Sequence, residues 1–263
     1  DGPAGAGVFQ VSSTPANPLQ TPNGCPTYLQ DPLDPTKIIC AYPGNDLSQL
    51  SFVPFDMAAG TWGVPVTGGP VVHGVDLASA GKHYSDDTGA KTCVGYRASD
   101  NSLVFNFQGP PETVGPDQWL RPYFVAFDRT ALTWGVPEIL TGAGEALPFA
   151  AHGIVVDPNT NLAHCTVVQP TDASTPSIYA VYHVAVNPDN SLNVRDLMTG
   201  NVFRTAEPLV SYPVLRKVGA TFELLVAFIA QSLSPFLAWV VRGLVGLAPA
   251  WTSEQVSTTA LNS

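Results

Sequence analysis

Charge is what this sequence has least of. Only 12% of its 263 residues are Asp, Glu, Lys or Arg, and 21 acidic residues outnumber 11 basic ones for a net charge of −10. Lysine occurs only at Lys37, Lys82, Lys91 and Lys217, so the chain cannot neutralise a run of phosphates. Nucleic-acid binding through the backbone is thereby excluded, and anionic membrane surfaces are disfavoured. Uninterrupted segments are also scarce, because 25 Pro and 23 Gly break the chain too often for long helices to dominate. Chemical signatures are missing too. There is no Gly-rich phosphate loop, no G-x-S-x-G elbow, no H-E-x-x-H and no C-x-x-C, which removes nucleotide, zinc-protease and redox readings and implies no cofactor. No Asn-x-Ser/Thr acceptor with a permitted middle residue occurs.

What is present is apolar material: 45% hydrophobic and 10% aromatic residues, enough to bury a large core and too much for a disordered chain. Length alone suits one large domain or two modest ones. The chain opens on Asp1 rather than Met, and the expectation is a secretion signal already removed. Four Cys, little lysine and Ser/Thr/Pro-rich patches at 12–22 and 170–176 point to an extracellular or surface protein. The most apolar stretch, residues 222–251, is interrupted by Gln231, Ser232, Ser234 and Pro235. Its two halves have the length of buried strands, not of a ~20-residue membrane span.

An internal repeat organises the rest. Residues 55–65 read FDMAAGTWGVP and residues 127–137 read FDRTALTWGVP, identical at eight of eleven positions and offset by 72. Each copy follows an apolar run, so each reads as a hairpin: a strand ending at Phe-Asp, a tight turn, and a return strand from Thr-Trp. The segments before these hairpins also align. Cys40, Cys93 and Cys165 fall on equivalent second strands, and VVHGVDL (71–77) and AAHGIVVD (150–157) match His73 with His152 on first strands. The pattern predicts an all-β fold of four units, about 22–68, 69–141, 142–205 and 206–257, each of four short antiparallel strands. Residues 98–121 read as an insertion in the second unit. Such units are blades of a small β-propeller, which disposes of exposed sheet edges by radial arrangement. Residues 1–21 form an extension whose VFQVS (8–12) offers a strand to latch the ring, and 258–263 form a tail. A fifth blade is the alternative if the insertion hides part of one; a β-sandwich would explain short strands but not the repeat.

The hairpin resembles the Asp-box hairpin of sialidase-like β-propellers, with Asp56, Gly60, Thr61 and Trp62 in one copy and Asp128, Thr133 and Trp134 in the other. The Asp-to-Trp spacing is one residue longer than the usual box, and Leu132 stands where the first copy has Gly60. The resemblance implies architecture and a structural role for Asp56, Trp62, Asp128 and Trp134. It does not extend to sialidase chemistry, because a three-arginine clamp is not identifiable among the scattered arginines.

Candidate site residues follow from the blade arrangement. His73 and His152 on first strands would face the central channel, where two imidazoles can contact a ligand but fall short of a metal site. Asp76 with Glu145 or Glu207 at the rim would supply the two carboxyls a glycosidase needs, ~5 Å apart for retention or ~6.5–9.5 Å for inversion. Trp119, with Arg121 and Tyr123 beside it, is the mix that stacks on sugars or anchors a protein partner. Cys25 and Cys40 on neighbouring strands are expected to form a disulfide, with Cys93 and Cys165 as buried thiols. The sequence thus predicts a surface β-propeller that binds glycans or neighbouring protein subunits, a second copy of itself included. The alternatives are a glycoside hydrolase or lyase using rim carboxyls, and a structural subunit of a fibre or virion-like assembly.

Overall fold

The computed structural model describes residues 27–43, 49–70, 92–109, 121–140, 150–170, 179–198, 209–210, 212–230, 237–245 and 250–256. The extension 1–21 with its proposed latch, and the tail 258–263, lie outside them. The described residues are all-β, without a helix, and form the four blades of a small β-propeller. Blade 1 runs β1 (Thr27–Gln30), β2 (Lys37–Pro43), β3 (Leu50–Asp56) and β4 (Thr61–Trp62). Blade 2 has β5 (Thr92–Arg97), β6 (Ser102–Gly109), β7 (Arg121–Asp128) and β8 (Thr133–Trp134), with β9 (Glu138–Ile139) also on β7. Blade 3 has β10 (Ala150–Val156), β11 (Ala163–Pro170), β12 (Tyr179–Val186) and β13 (Leu192–Leu197). In blade 4, β14 (Leu209–Val210) and β15 (Val214–Val218) both pair with β16 (Thr221–Ala230), followed by β17 (Leu237–Leu244) and β18 (Thr252–Gln255). Every strand pair is antiparallel.

Strand alternation gives each blade two faces, and in blades 2 and 3 both are apolar because each is covered by a neighbour. Leu103, Phe105 and Phe107 of β6 with Val125 and Phe127 of β7 pack on Ile39, Ala41, Leu50 and Phe52 of blade 1. Phe52, Phe105, Phe127 and Trp134 meet ring to ring at 5.0–5.9 Å, contacts worth about 0.5–1.5 kcal/mol each beyond area burial. The opposite face of blade 2, Cys93, Val104, Phe124 and Ala126, packs on Ile154, Cys165, Val167 and Val184 of blade 3. Val181 and Met198 of blade 3 pack on Leu224, Val226, Phe228 and Val241 of blade 4. First strands contact first strands, β1 with β5 and β5 with β10, and the Thr27 hydroxyl donates to the Thr92 carbonyl at 2.5 Å. The first strands are therefore innermost.

The apolar stretch at 222–251 supplies β16 and β17, two core strands. Among the described residues no helix is long and apolar enough to cross a membrane.

Three expectations are corrected. Residues 98–121 are not an insertion: β6 is hydrogen-bonded between β5 and β7 and is the second strand of blade 2. Cys93 consequently lies on β5, a first strand, while Cys40 and Cys165 lie on the second strands β2 and β11. The Cys25–Cys40 disulfide is not formed. Cys40 is a buried thiol, and the register sets Tyr28 opposite it, three positions along the chain from Cys25. Cys25 itself is outside the described residues. Burial pushes the Cys40 thiol up to about 12, and Cys93 and Cys165 are likewise buried thiols.

Candidate functional site

The two ends of the blades are built differently. At one end lie the first-to-second and third-to-fourth turns, organised by Asp side chains. Asp56 Oδ1 accepts the amides of Ala58 and Ala59 at 2.9 and 2.8 Å. Asp128 Oδ1 accepts those of Thr130 and Ala131 at 2.7 and 2.9 Å. Asp31 and Asp157 accept the amides of Leu33 and Asn159 in the same way, the Asx turn that competes with continuing the strand. Gly60 and Leu132, one repeat apart, both take positive φ, +65° and +58°. The mismatch between the two copies is thus a change of residue on an unchanged backbone.

Side chains tie these turns from blade to blade. Arg129 of blade 2 makes a two-pronged pair with Asp31 of blade 1, at 2.9 and 2.7 Å. Arg97 at the end of β5 is 1% exposed; it grips Asp100 at 2.9 and 2.6 Å and reaches the Asn187 carbonyl and Asn190 Oδ1 of blade 3 at 3.2 and 3.0 Å. Asn161 accepts the Ser99 amide, and Asn159 donates to the Ala220 carbonyl of blade 4. Polar contacts thus join blade 1 to blade 2, blade 2 to blade 3 and blade 3 to blade 4 at this end.

The opposite end is where β5, β7, β10 and β12 begin and where the chain leaves the described sheets. Three residues singled out in the sequence stand there. Arg121, the first residue of β7, is buried and pairs in register with Gly109. Tyr123 is half-buried, and its ring stacks on Phe107 at 5.7 Å and 19°, so it belongs to the packing between blades 1 and 2 as well as to this end. His152 sits at a β-bulge, where the β10–β11 register shifts between Ala151 and Gly153. Bulges near a strand end re-aim a side chain. A Cβ on Gly153 would collide with Pro213 of blade 4, which is why glycine follows the bulge. His73, Asp76, Trp119, Glu145 and Glu207 lie outside the described residues.

Sequence reasoning missed Asn106. Its side-chain amide, wholly buried, donates across the blade seam to the Gly153 carbonyl at 2.9 Å and the Thr166 carbonyl at 3.2 Å, pinning the bulge that carries His152. Asn106 lies within the segment 98–121 that reads as an insertion in the sequence. Sequence reasoning missed a second cluster as well. His164 Nδ1 and His183 Nε2 lie 2.8 Å apart on the blade 3 face that meets blade 4, with the His183 ring edge-on to Trp251 at 5.2 Å. Burial lowers His164 to about 4 against the opposing pull of the Asp157 carboxylate. Burial, then the neighbouring imidazole, lowers His183 to about 3. Both rings are therefore neutral at pH 7, one donating to the other. Among the described residues no three His, Cys, Asp or Glu side chains stand together as metal ligands would.

No family model and no curated protein matches the sequence. Among solved structures, a Hadza microbial sialidase, Hz136, superposes with a TM-score of 0.52 at 9% identity, over 87% of this chain and 45% of that one. A protein described as a glycoside hydrolase superposes with a TM-score of 0.43 at 12% identity, over 87% of this chain and 72% of that one. At the first of these scores the likeness is one of fold alone, with this chain spanning less than half the sialidase's length.

Proposed function

We propose that this chain is a glycan-binding β-propeller domain of an extracellular or surface protein, and that its ligand meets the end of the blades where β7 and β10 begin. The observation that carries the proposal is the asymmetry of the two ends. One is laced by a turn-to-turn ion pair, inter-blade hydrogen bonds and Asx turns; the other holds Arg121, Tyr123 and the pinned His152 bulge. Trp119, two residues before Arg121 in the chain, is the residue proposed as the aromatic surface on which a pyranose stacks. Arg121, His73 and His152 supply hydrogen bonds to hydroxyls. The hairpins of Asp56 and Trp62, and of Asp128 and Trp134, act as degenerate Asp boxes that hold the blades and take no part in binding.

The test is a glycan array followed by calorimetry on the best ligand. Trp119→Ala and His152→Ala are expected to weaken binding at least tenfold while thermal stability holds. An array without signal, or affinity unchanged in both variants, refutes the proposal.

The fold it shares with a sialidase favours one second reading, hydrolysis by Asp76 with Glu145 or Glu207. Turnover on a panel of aryl glycosides, abolished by Asp76→Asn, would establish it over simple binding. No turnover on any member would exclude it.

A further inference from the structure

We infer that Tyr212 is a second aromatic wall of the glycan site, set beside His152 by matched bulges on the first strands of blades 3 and 4. The role rests on the glycan-binding reading proposed above. In blade 3, Ala151 faces Val167 and Gly153 faces Thr166, so His152 is one residue too many for the ladder. Blade 4 does the same. Val210 faces Phe228 and Val214 faces Leu225, so the stretch from 210 to 214 also holds one residue more than the strand it faces. Tyr212 and Pro213 lie in that stretch. By contrast, the first strands of blades 1 and 2 run in unbroken register over their described lengths. A bulge re-aims a side chain and is over-represented next to functional sites. Here two of them meet.

The meeting point is Gly153. A Cβ there would lie 2.2 Å from Pro213 Cδ and 3.2 Å from Tyr212 Cδ1, so glycine lets the blade 4 chain press directly on the blade 3 backbone. From blade 2, the Asn106 side chain holds the Gly153 carbonyl at 2.9 Å. Three blades are thus tied at one residue, and Tyr212 rests on the tie. Pro213 beside it is buried, and its ring fixes φ. Tyr212 itself is 48% exposed, although Leu224 and Val226 of the same blade are wholly buried. A tyrosine whose ring edge packs on Gly153 while much of its surface meets solvent is a rigid platform with little side-chain entropy left to lose. The chemistry it suits is a pyranose that lays its C–H face on the ring and turns its hydroxyls to polar groups at the His152 bulge.

Calorimetric titration with the glycan that gives the strongest array signal tests this, together with saturation-transfer NMR of that glycan's C–H protons. Tyr212→Ala and Tyr212→Leu should weaken binding at least about fivefold, the scale of one aromatic contact, while Tyr212→Phe binds within about twofold of the native chain. At saturating glycan, transfer to one face of the sugar ring should persist in the Phe variant and drop in the Leu variant, with melting temperatures near that of the native chain. Leucine keeps bulk at the bulge, so a purely structural tyrosine would tolerate it. Affinity that falls in Trp119→Ala and His152→Ala but holds in Tyr212→Ala overturns the role of Tyr212 and leaves the glycan-binding reading standing. Equal loss in Tyr212→Phe and Tyr212→Leu overturns stacking on the ring. An array without signal refutes the glycan-binding reading, and the role of Tyr212 falls with it.

Discussion

Acid should loosen the seam between blades 3 and 4 first, through His164 and His183. Both imidazoles are almost inaccessible, 1% and 2% exposed, and their folded values, about 4 and about 3, lie below the ~6.5 of an unfolded chain. The unfolded state therefore takes up protons that the folded state refuses. The pair's contribution is complete above pH ~6.5 and is lost as pH falls through that value toward 4. Between pH 7 and 5 both folded rings remain neutral, so the loss is governed by protonation of the unfolded chain alone. It comes to about 2 kcal/mol per imidazole, or about 4 kcal/mol for the pair, a large part of a domain's ~5–15 kcal/mol. The carboxylates held low by their partners, Asp34 and Asp189, begin to matter only below this window, because their unfolded value is ~3.9. Urea unfolding at pH 7, 6 and 5 should show this loss for the native chain. It should nearly vanish in His164→Leu/His183→Phe, whose side chains keep the seam apolar against Trp251. An equal loss of stability in the double variant would refute the assignment and move the acid sensitivity to another histidine.

Two further substitutions test the laced end. Leu132 holds positive φ with its side chain 72% exposed, so Leu132→Gly removes backbone strain without opening a cavity. It should raise stability by about 1 kcal/mol, read as a higher melting temperature. Arg97→Met keeps the buried stem but leaves Asp100 and the Asn187 carbonyl without their donor. It should cost about 2–3 kcal/mol in urea unfolding; a cost below 0.5 kcal/mol would mean that water satisfies these groups as well as Arg97 does.

The blade count was legible because of one repeated hairpin. Trp62 and Trp134 recur at the offset that separates two blades, and Phe-Asp before them marks where a strand must end, because the Asp carboxylate captures the next amides. Aligning cysteines misled. Cys93 and Cys165 both pack in the seam between blades 2 and 3, one from a first strand and one from a second, since any small apolar residue suits a buried position on either. The same ambiguity made SLVFNFQ look like an insertion: a strand buried on both faces loses the polar alternation that announces a half-exposed one. The buried polar groups were illegible for a different reason. Whether a histidine or asparagine at an inward position finds a partner depends on the neighbouring blade. The sequence period says only which way the side chain turns.

Asn106 joins fold and site most directly, and its replacement separates them. Asn106→Leu has nearly the same volume but removes both donors, leaving the Gly153 and Thr166 carbonyls buried and unpaired. At about 1–3 kcal/mol for each acceptor that loses its donor, offset in part because the unpartnered Asn106 Oδ1 is removed as well, stability should fall by about 2–4 kcal/mol. The side chain also holds the backbone next to His152, so the bulge is free to relax when the bond to Gly153 is lost. If the His152 end is the glycan site, ligand affinity should fall in the same variant by more than its unfolded fraction explains. Arg97→Met, at the opposite end of the blades and similarly destabilised, should bind as the native chain does. Calorimetric titration of both variants at a temperature where each is fully folded makes the comparison. Equal affinity in the two would leave Asn106 a stability residue and detach the bulge from binding.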